Sequence, residues 1–229
     1  MSFKGAIFDL DGVIVDTVPL HFAAWKYLFE EIHHVPFSKK DYDDRVDGKP
    51  RINGVRAILP NLNYDEAVKE GAIKQAYYLK LINEGKLKKF PSSFALIAEL
   101  KKHGILLAAA SSSRNAELIL EKVGLTKDFN AIISGNDFTH GKPHPEIFIK
   151  AAARLKLATD ECVVFEDALA GVQAAKTGHF LCVGINRSHQ DQNYREADLV
   201  VTDLAEVDYI RLRQLFDSSG SKPCKNNIV

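Results

Sequence analysis

Cysteine is scarce in this chain. Cys162, Cys182 and Cys224 are the three present, too few and too scattered for a disulfide framework or a zinc cluster. Two of them sit in apolar runs and read as small core fillers, which suits a reducing cytoplasm. Excess charge is missing too: Lys plus Arg is 30 and Asp plus Glu is 30. General affinity for nucleic acid or an anionic membrane is therefore not expected, although a local basic pocket stays open. No apolar run has the ~20 residues of a membrane span. Asp9 and Asp11 interrupt the N-terminal apolar run where the h-region of a signal peptide would lie. Repeats and low-complexity tracts are absent. What remains is globular: 229 residues, 46% hydrophobic, are enough for one large domain or a domain with a smaller insert.

The apolar residues are arranged in two distinct ways. KGAIFDLDGVIVDT (Lys4 to Thr17) opens as a short buried strand and ends in acids and a glycine, a turn signal. Buried-strand runs recur at Ile105 to Ala110, Ala131 to Ser134, Cys162 to Glu166, Phe180 to Gly184 and Leu199 to Val201. Helical patterns lie between most of them, at Phe94 to Lys102, Asn115 to Val123, Pro145 to Leu155 and Leu169 to Thr177, with Gly124 and Gly178 at the expected C-caps. Alternation of continuous apolar strands with helices predicts an α/β fold, a doubly wound parallel sheet covered on both faces. From Asp16 to Pro91 the pattern is helical instead. Phe22, Trp25, Leu28, Phe29 and Ile32 share one face, and further helices are expected at Ser38 to Val46, Arg51 to Leu59 and Asp65 to Leu87. This reads as a helical insert after the first strand.

Each strand is followed by polar residues: Asp9-Leu10-Asp11-Gly12 after the first, Ser111-Ser112-Ser113 after Ala110, Lys142-Pro143 in the loop beyond Phe129, and Glu166-Asp167 after Phe165. In open parallel sheets the ligand crevice lies at the strand C-termini, so these separated segments are expected to meet. Asp9, Asp11, Glu166 and Asp167 are hard oxygen donors suited to Mg²⁺. Ser111 and neighbouring amides can donate to phosphate, the helix beginning at Asn115 favours an anion at its N-terminus, and Lys142 offsets negative charge. The bound group is then a phosphoryl group, for which catalysis is mostly positioning and charge stabilisation. Asp9 is the expected nucleophile, forming an aspartyl-phosphate, and Asp11 the general acid/base. A calcium loop does not fit, since glycine would stand at its sixth position and glutamate at its twelfth, where this sequence has Ile14 and Leu20.

These motifs resemble the haloacid dehalogenase-like hydrolase superfamily: D-x-D-G, then serine, lysine and an acidic pair, in that order and over nearly the whole chain. The insert is similar to the cap of the C1-capped branch. The resemblance implies a Rossmann-like core over 1–16 and 92–217, a helical cap over 17–91 and a flexible tail over 218–229. It makes Asp9 nucleophile and metal ligand, has Asp11 give its carbonyl to the metal, assigns phosphate to Ser111, Ser112 and Lys142, and completes the Mg²⁺ site with Glu166 and Asp167. Within the superfamily, DTVPLHFAAWKYLFEE, VDGKPRINGVRAIL, SSSRNAE, GKPHPEIF and FEDALAGVQAAKTG resemble β-phosphoglucomutase-like proteins. That narrower likeness implies substrate contacts from Thr17, His21, Arg51, Arg114 and Asn115, with Arg51 on a distal phosphate. It also implies a cap that excludes water. Ala168 departs from the pattern, since a serine is common there.

Less specific readings compete for some residues. Glu166 is about as readily a structural acid as a ligand, and His21, one turn from Trp25, about as readily a satisfied helix histidine. Lys74 reads as surface. His140 and His144 flank Lys142 but have no cysteine or close carboxylate spacing to make a transition-metal site, so they read as loop residues. The expected function is a cytoplasmic, Mg²⁺-dependent phosphohexomutase of a small phosphosugar. The alternative is a phosphatase of a sugar phosphate or related metabolite, and a catalytically dead binding protein is disfavoured because every core motif is present. A monomer is expected, with no obligate protein partner.

Overall fold

The structure is a computed structural model that describes residues 2–47, 49–187 and 194–220. The chain divides into two compact units, Met1–Val15 with Lys89–Val229, and Asp16–Lys88. The chain changes units within two short strands, β2 (Val15–Asp16) and β3 (Lys88–Lys89).

The first unit is built on β1 (Gly5–Phe8), β4 (Leu106–Ala110), β5 (Ala131–Ile133), β6 (Cys162–Glu166), β7 (Leu181–Ile185) and β8 (Leu199–Val201). They form one six-stranded sheet in the order β5-β4-β1-β6-β7-β8, and the pairings are parallel. β1 therefore lies between β4 and β6, with the later strands leaving to opposite sides, which makes its C-terminal end a topological switch point. β1, β6 and β7 are buried along their whole lengths, because helices cover both faces and leave no polar side. The helices are α5 (Pro91–Lys102), α6 (Ala116–Val123), α7 (Glu146–Leu155), α8 (Leu169–Thr177) and α9 (Tyr209–Gly220). α7 shows why they dock: Ile147, Phe148, Ala151, Ala152 and Leu155 are buried on one stripe, against Ile7, Ala108, Ile133, Val164 and Cys182 of the sheet. Cys162 and Cys182 are both buried in that cluster, as the apolar runs around them suggest.

Gly124 and Gly178 are the C-caps of α6 and α8 as expected, Gly124 in the left-handed region at φ 83° and Gly178 at φ −81°. At the end of α8 the left-handed residue is His179, at φ 62°. Gly178 is small for another reason, since a Cβ there would lie 2.8 Å from the Phe180 ring. Ser218 and Ser219, expected in a loose tail, belong to α9, their hydroxyls donating to the Leu215 carbonyl at 2.9 and 2.8 Å. Cys224 and the rest of the tail lie outside the described residues.

The second unit is helical: α1 (Val18–Lys26), α2 (Lys39–Asp41), α3 (Arg51–Ile58) and α4 (Tyr64–Asn83). Its core gathers Trp25, Leu28, Phe29, Phe37, Tyr42, Val46, Val55, Ile58 and Ala67. α4 starts where Asn63 and Glu66 cap each other reciprocally, with hydrogen bonds of 3.0 and 2.9 Å. α1 runs into a π-helical stretch, Tyr27–Ile32. A wider turn advances each residue through a smaller angle, so the apolar face drifts out of phase and Ile32, expected on the buried stripe, is 41% exposed. The expected helix at Ser38 to Val46 is split the same way, α2 giving way to a π turn over Tyr42–Val46. Among the described residues no helix is long and apolar enough to cross a membrane.

Phe180 is 1% exposed and meets Phe148 edge-on at 6.2 Å. Phe180→Ala is expected to lower stability by ~3–5 kcal/mol, the transfer term plus the cavity left behind. Urea unfolding followed by circular dichroism checks it.

Candidate active site

Parallel register sets the first contact. Phe8 is level with Ala109 on one side and with Phe165 on the other, and Asp9 N–H donates to the Phe165 carbonyl at 3.0 Å. Asp9 thus emerges beside the end of β6, where Glu166 and Asp167 stand. One carboxylate oxygen from each of Asp9, Glu166 and Asp167 lies within 4.8 Å of the others. The loop after β5 brings in Lys142, whose ammonium donates to Asp9 Oδ1 at 2.5 Å and to Glu166 Oε2 at 2.6 Å. The end of β4 brings Ser111, which is buried, accepts the Ser113 amide at 3.0 Å and donates to Asp11 Oδ2 at 3.4 Å. Ser112 and Arg114 are exposed on the same loop, and Asn115 precedes α6 without capping it through its side chain.

Burial governs the electrostatics. It pushes the Asp9 carboxyl up; Lys142 pulls it back and Glu166 pushes it further up. Asp167 is likewise raised, to about 8, by burial first and then by Glu166 and Asp9. Burial also works against the Lys142 ammonium, but Asp9 and Glu166 outweigh it and hold the lysine well above its ordinary range. One ammonium among three clustered carboxylates leaves negative charge uncompensated. The donors are all carboxylate oxygens, which is the chemistry a hard divalent cation selects. The residues present therefore fit such an ion. The Asp11 carboxylate is not among the three clustered oxygens and accepts from Ser111 at 3.4 Å.

The backbone is shaped around these side chains. Immediately after Asp11 the chain reverses: Gly12 N–H donates to the Val15 carbonyl at 2.7 Å and Val15 N–H to the Leu10 carbonyl at 3.0 Å. Gly12 has φ +77°, and a Cβ there would lie 1.8 Å from Asp167 Oδ2, so both conformation and space require glycine. In α8, a Cβ on Gly171 would come within 2.1 Å of the Glu166 carboxylate. Three supports had no signal in the motifs. Arg187 donates from Nε to the Gly12 carbonyl at 3.0 Å, pairs with Asp203 and lies 3.8 Å over the Phe90 ring. Buried Ser93 donates to the Val13 carbonyl at 2.5 Å, and the Tyr194 hydroxyl donates to the Asp167 carbonyl. Arg187 follows β7, so the strand-end rule applied to that strand would have drawn attention to it.

With the geometry defined, comparison with known proteins is direct. The family model for haloacid dehalogenase-like hydrolase matches residues 3–179. The chain belongs to this family. It is an enzyme, a phosphotransferase or hydrolase. It is 37% identical over 214 residues to a β-phosphoglucomutase of Bacillus subtilis (strain 168), covering 89% of this chain and 91% of that one. It is 30% identical over 211 residues to a validoxylamine A 7'-phosphate phosphatase of Streptomyces hygroscopicus subsp. limoneus, covering 90% and 96%. Among solved structures, β-phosphoglucomutase from Clostridium difficile superposes with a TM-score of 0.81 at 28% identity, over 96% of this chain and 100% of that one.

In this family member, Thr17, His21 and Arg51 belong to the second unit. Thr17 is buried, and its carbonyl accepts the His21 amide at 2.9 Å. His21 stacks on Tyr78 with centroids 4.2 Å apart, and its Nδ1 lies 2.7 Å from the Lys74 ammonium. Arg51 opens α3 and donates to Gln75 Oε1 at 2.6 Å. Lys74, expected on the surface, is 3% exposed and lies 5.0 Å over Trp25 and 4.8 Å over Tyr78. The length of its stem lets the ammonium reach inward from a helix whose sequence reads as solvated. Burial, then the charge of Arg51, lowers Lys74 to about 7; burial, then Lys74, lowers His21 to about 3.

Gly12→Ala is expected to cost ~1–2 kcal/mol of stability and to weaken Mn²⁺ binding at least ~10-fold by displacing Asp167, as read by water-proton relaxation. For Lys74 the folded value of about 7 lies below the ordinary 10.5, so the unfolded chain holds the extra proton between those values. The lysine's contribution to stability is therefore flat below pH 7 and rises above it, by at most ~1.4 kcal/mol per pH unit. Urea titrations of wild type and Lys74→Met from pH 6 to 10 are expected to show the variant losing ground relative to wild type only above pH 7.

Proposed function

We propose that this enzyme transfers a phosphoryl group of a small phosphosugar through an aspartyl-phosphate on Asp9, with Mg²⁺, as a phosphohexomutase of the β-phosphoglucomutase type. The observation that carries the chemistry is the meeting of Asp9, Glu166 and Asp167 around one ammonium at the end of β1, with Asp11 and Ser111 alongside. The mutase reading draws support from the 37% identity to a β-phosphoglucomutase over nearly the whole of both chains.

Asp9 attacks phosphorus through a carboxylate oxygen. The new O–P bond forms as the ester P–O bond to the sugar breaks, and Asp11 gives a proton to the departing hydroxyl oxygen. In the second half, a different hydroxyl of the sugar attacks the aspartyl-phosphate, Asp11 takes its proton and Asp9 is released. Lys142, Ser111, Ser112 and the amides before α6 hold the phosphoryl oxygens and stabilise their charge. Asp9, Glu166 and Asp167, with the Asp11 carbonyl, would hold Mg²⁺, which when bound neutralises charge on the transferred group. Arg114 and Asn115 would contact the sugar phosphate, with Thr17 and His21 of the second unit as further substrate contacts. Arg51 supplies a cation for a second phosphate. In the phosphatase reading, favoured by the relative that is a phosphatase at 30% identity, the core steps are the same and water replaces the second hydroxyl.

Phosphorus NMR of β-glucose 1-phosphate with Mg²⁺ and a trace of glucose 1,6-bisphosphate separates the readings. Glucose 6-phosphate is expected; inorganic phosphate alone overturns the mutase in favour of the phosphatase. Asp9→Asn is expected to lower turnover at least ~1,000-fold, and full activity in that variant refutes the nucleophile. Arg51→Ala is expected to reduce kcat/KM on the hexose phosphate ~10-fold or more while sparing hydrolysis of a small aryl phosphate. Equal losses on both remove its role.

A further inference from the structure

A second group of ligand-bearing side chains converges away from the acid cluster. His140 and His144 lie on the loop before α7, and Glu146 is its first residue. One ligand atom from each lies within 4.8 Å of the others. His140 Nδ1 is 2.9 Å from Glu146 Oε2, the two imidazole centroids are 4.7 Å apart, and the Glu146 amide donates to His144 Nδ1 at 3.3 Å. The turn that brings them together closes through the His144 amide on the Gly141 carbonyl, at 3.0 Å. The carboxylate is held in place: its two oxygens accept the Thr139 and His140 amides at 3.2 and 2.9 Å, and Lys150 donates to Oε1 at 2.8 Å. Both imidazoles are exposed, so an ion reaches them without any opening of the fold.

We propose that His140, His144 and Glu146 form a binding site for a borderline transition-metal cation of the zinc class, separate from the all-oxygen cluster at Asp9. Two imidazoles and a carboxylate are the donor set that Zn²⁺, Co²⁺ and Cu²⁺ favour over Mg²⁺, whereas three carboxylates suit the harder ion. The Glu146 carboxylate, fixed from three sides, is a pre-positioned partner for both rings, with water free to complete the coordination shell. Lys150 is its competitor for Oε1. Lys142, between the two histidines in sequence, points its ammonium away to Asp9 and Glu166. Glu146 stands in the first turn of α7, two residues after His144 and six after His140, so the carboxylate not expected beside these histidines is supplied by the start of the helix.

Cu²⁺ added at one equivalent to Mg²⁺-saturated protein tests this by electron paramagnetic resonance, because splitting by nitrogen ligands distinguishes imidazole from carboxylate coordination. Wild type and Asp9→Asn are expected to show the same nitrogen-split signal, and the double variant His140→Ala/His144→Ala to lose it. Zn²⁺ calorimetry on the Mg²⁺-saturated protein is expected to show one site, at least 10-fold weaker in the double variant and in Glu146→Gln. Circular dichroism checks that each variant is folded, and His140→Asn with His144→Asn replaces the alanines if it is not. A nitrogen signal that survives in the double variant, one lost in Asp9→Asn, or no stoichiometric binding by wild type overturns the proposal. None of these readouts depends on turnover.

Discussion

Lys142 places its ammonium 2.5 Å from Asp9 and 2.6 Å from Glu166, in a region from which water is largely withdrawn. Charges there are costly one by one and tolerable only together. Burial and mutual repulsion drive Asp9 and Asp167 toward their protonated forms, and the lysine is the protein's own opposing charge. It is also insufficient for three carboxylates. This residual imbalance is what makes the donor set at the end of β1 fit a hard divalent cation. A site assembled on this principle is poised rather than relaxed: one ammonium is shared between two of the acids, and the third adds charge that the lysine does not match.

The surrounding backbone exists to keep that arrangement in register. β1 is paired on both sides, so Asp9 is fixed between the ends of β4 and β6 by ladder hydrogen bonds. The reversal after Asp11 is then held from outside by Arg187 on the Gly12 carbonyl and by Ser93 on the Val13 carbonyl. Glycine at 12 and 171 leaves the space that Asp167 and Glu166 occupy. These are small features in the sequence, yet each removes a way for a carboxylate to drift by the ångström that positioning catalysis cannot tolerate.

Much of this was legible from pattern. Continuous apolar runs of strand length gave β6 and β8 with their ends; in β6 both faces are covered and each position votes the same way. Polar residues at the ends of those runs pointed to the strand C-termini, where the fold brings Asp9, Ser111, Lys142, Glu166 and Asp167 into one neighbourhood. Legibility failed where a side chain's environment is set by another element. Ile32 left its stripe when a π turn changed the phase of the helix. Lys74 went inward because His21, Trp25 and Tyr78 were waiting for it. Arg187 belongs to no motif, and the Gly12 carbonyl it holds lies 175 residues earlier in the chain.

The sequence by itself determined the alternation of strand and helix, the helical insert, and which residue types stand at the strand ends, because these follow from periodicity and local turn chemistry. Only the tertiary structure decided which acids share one ammonium, which glycines are obligatory, and that Glu146 sits against two histidines. Those are relations of distance between segments remote in the chain or folded back by a turn, and neither composition nor spacing along the chain encodes distance in space.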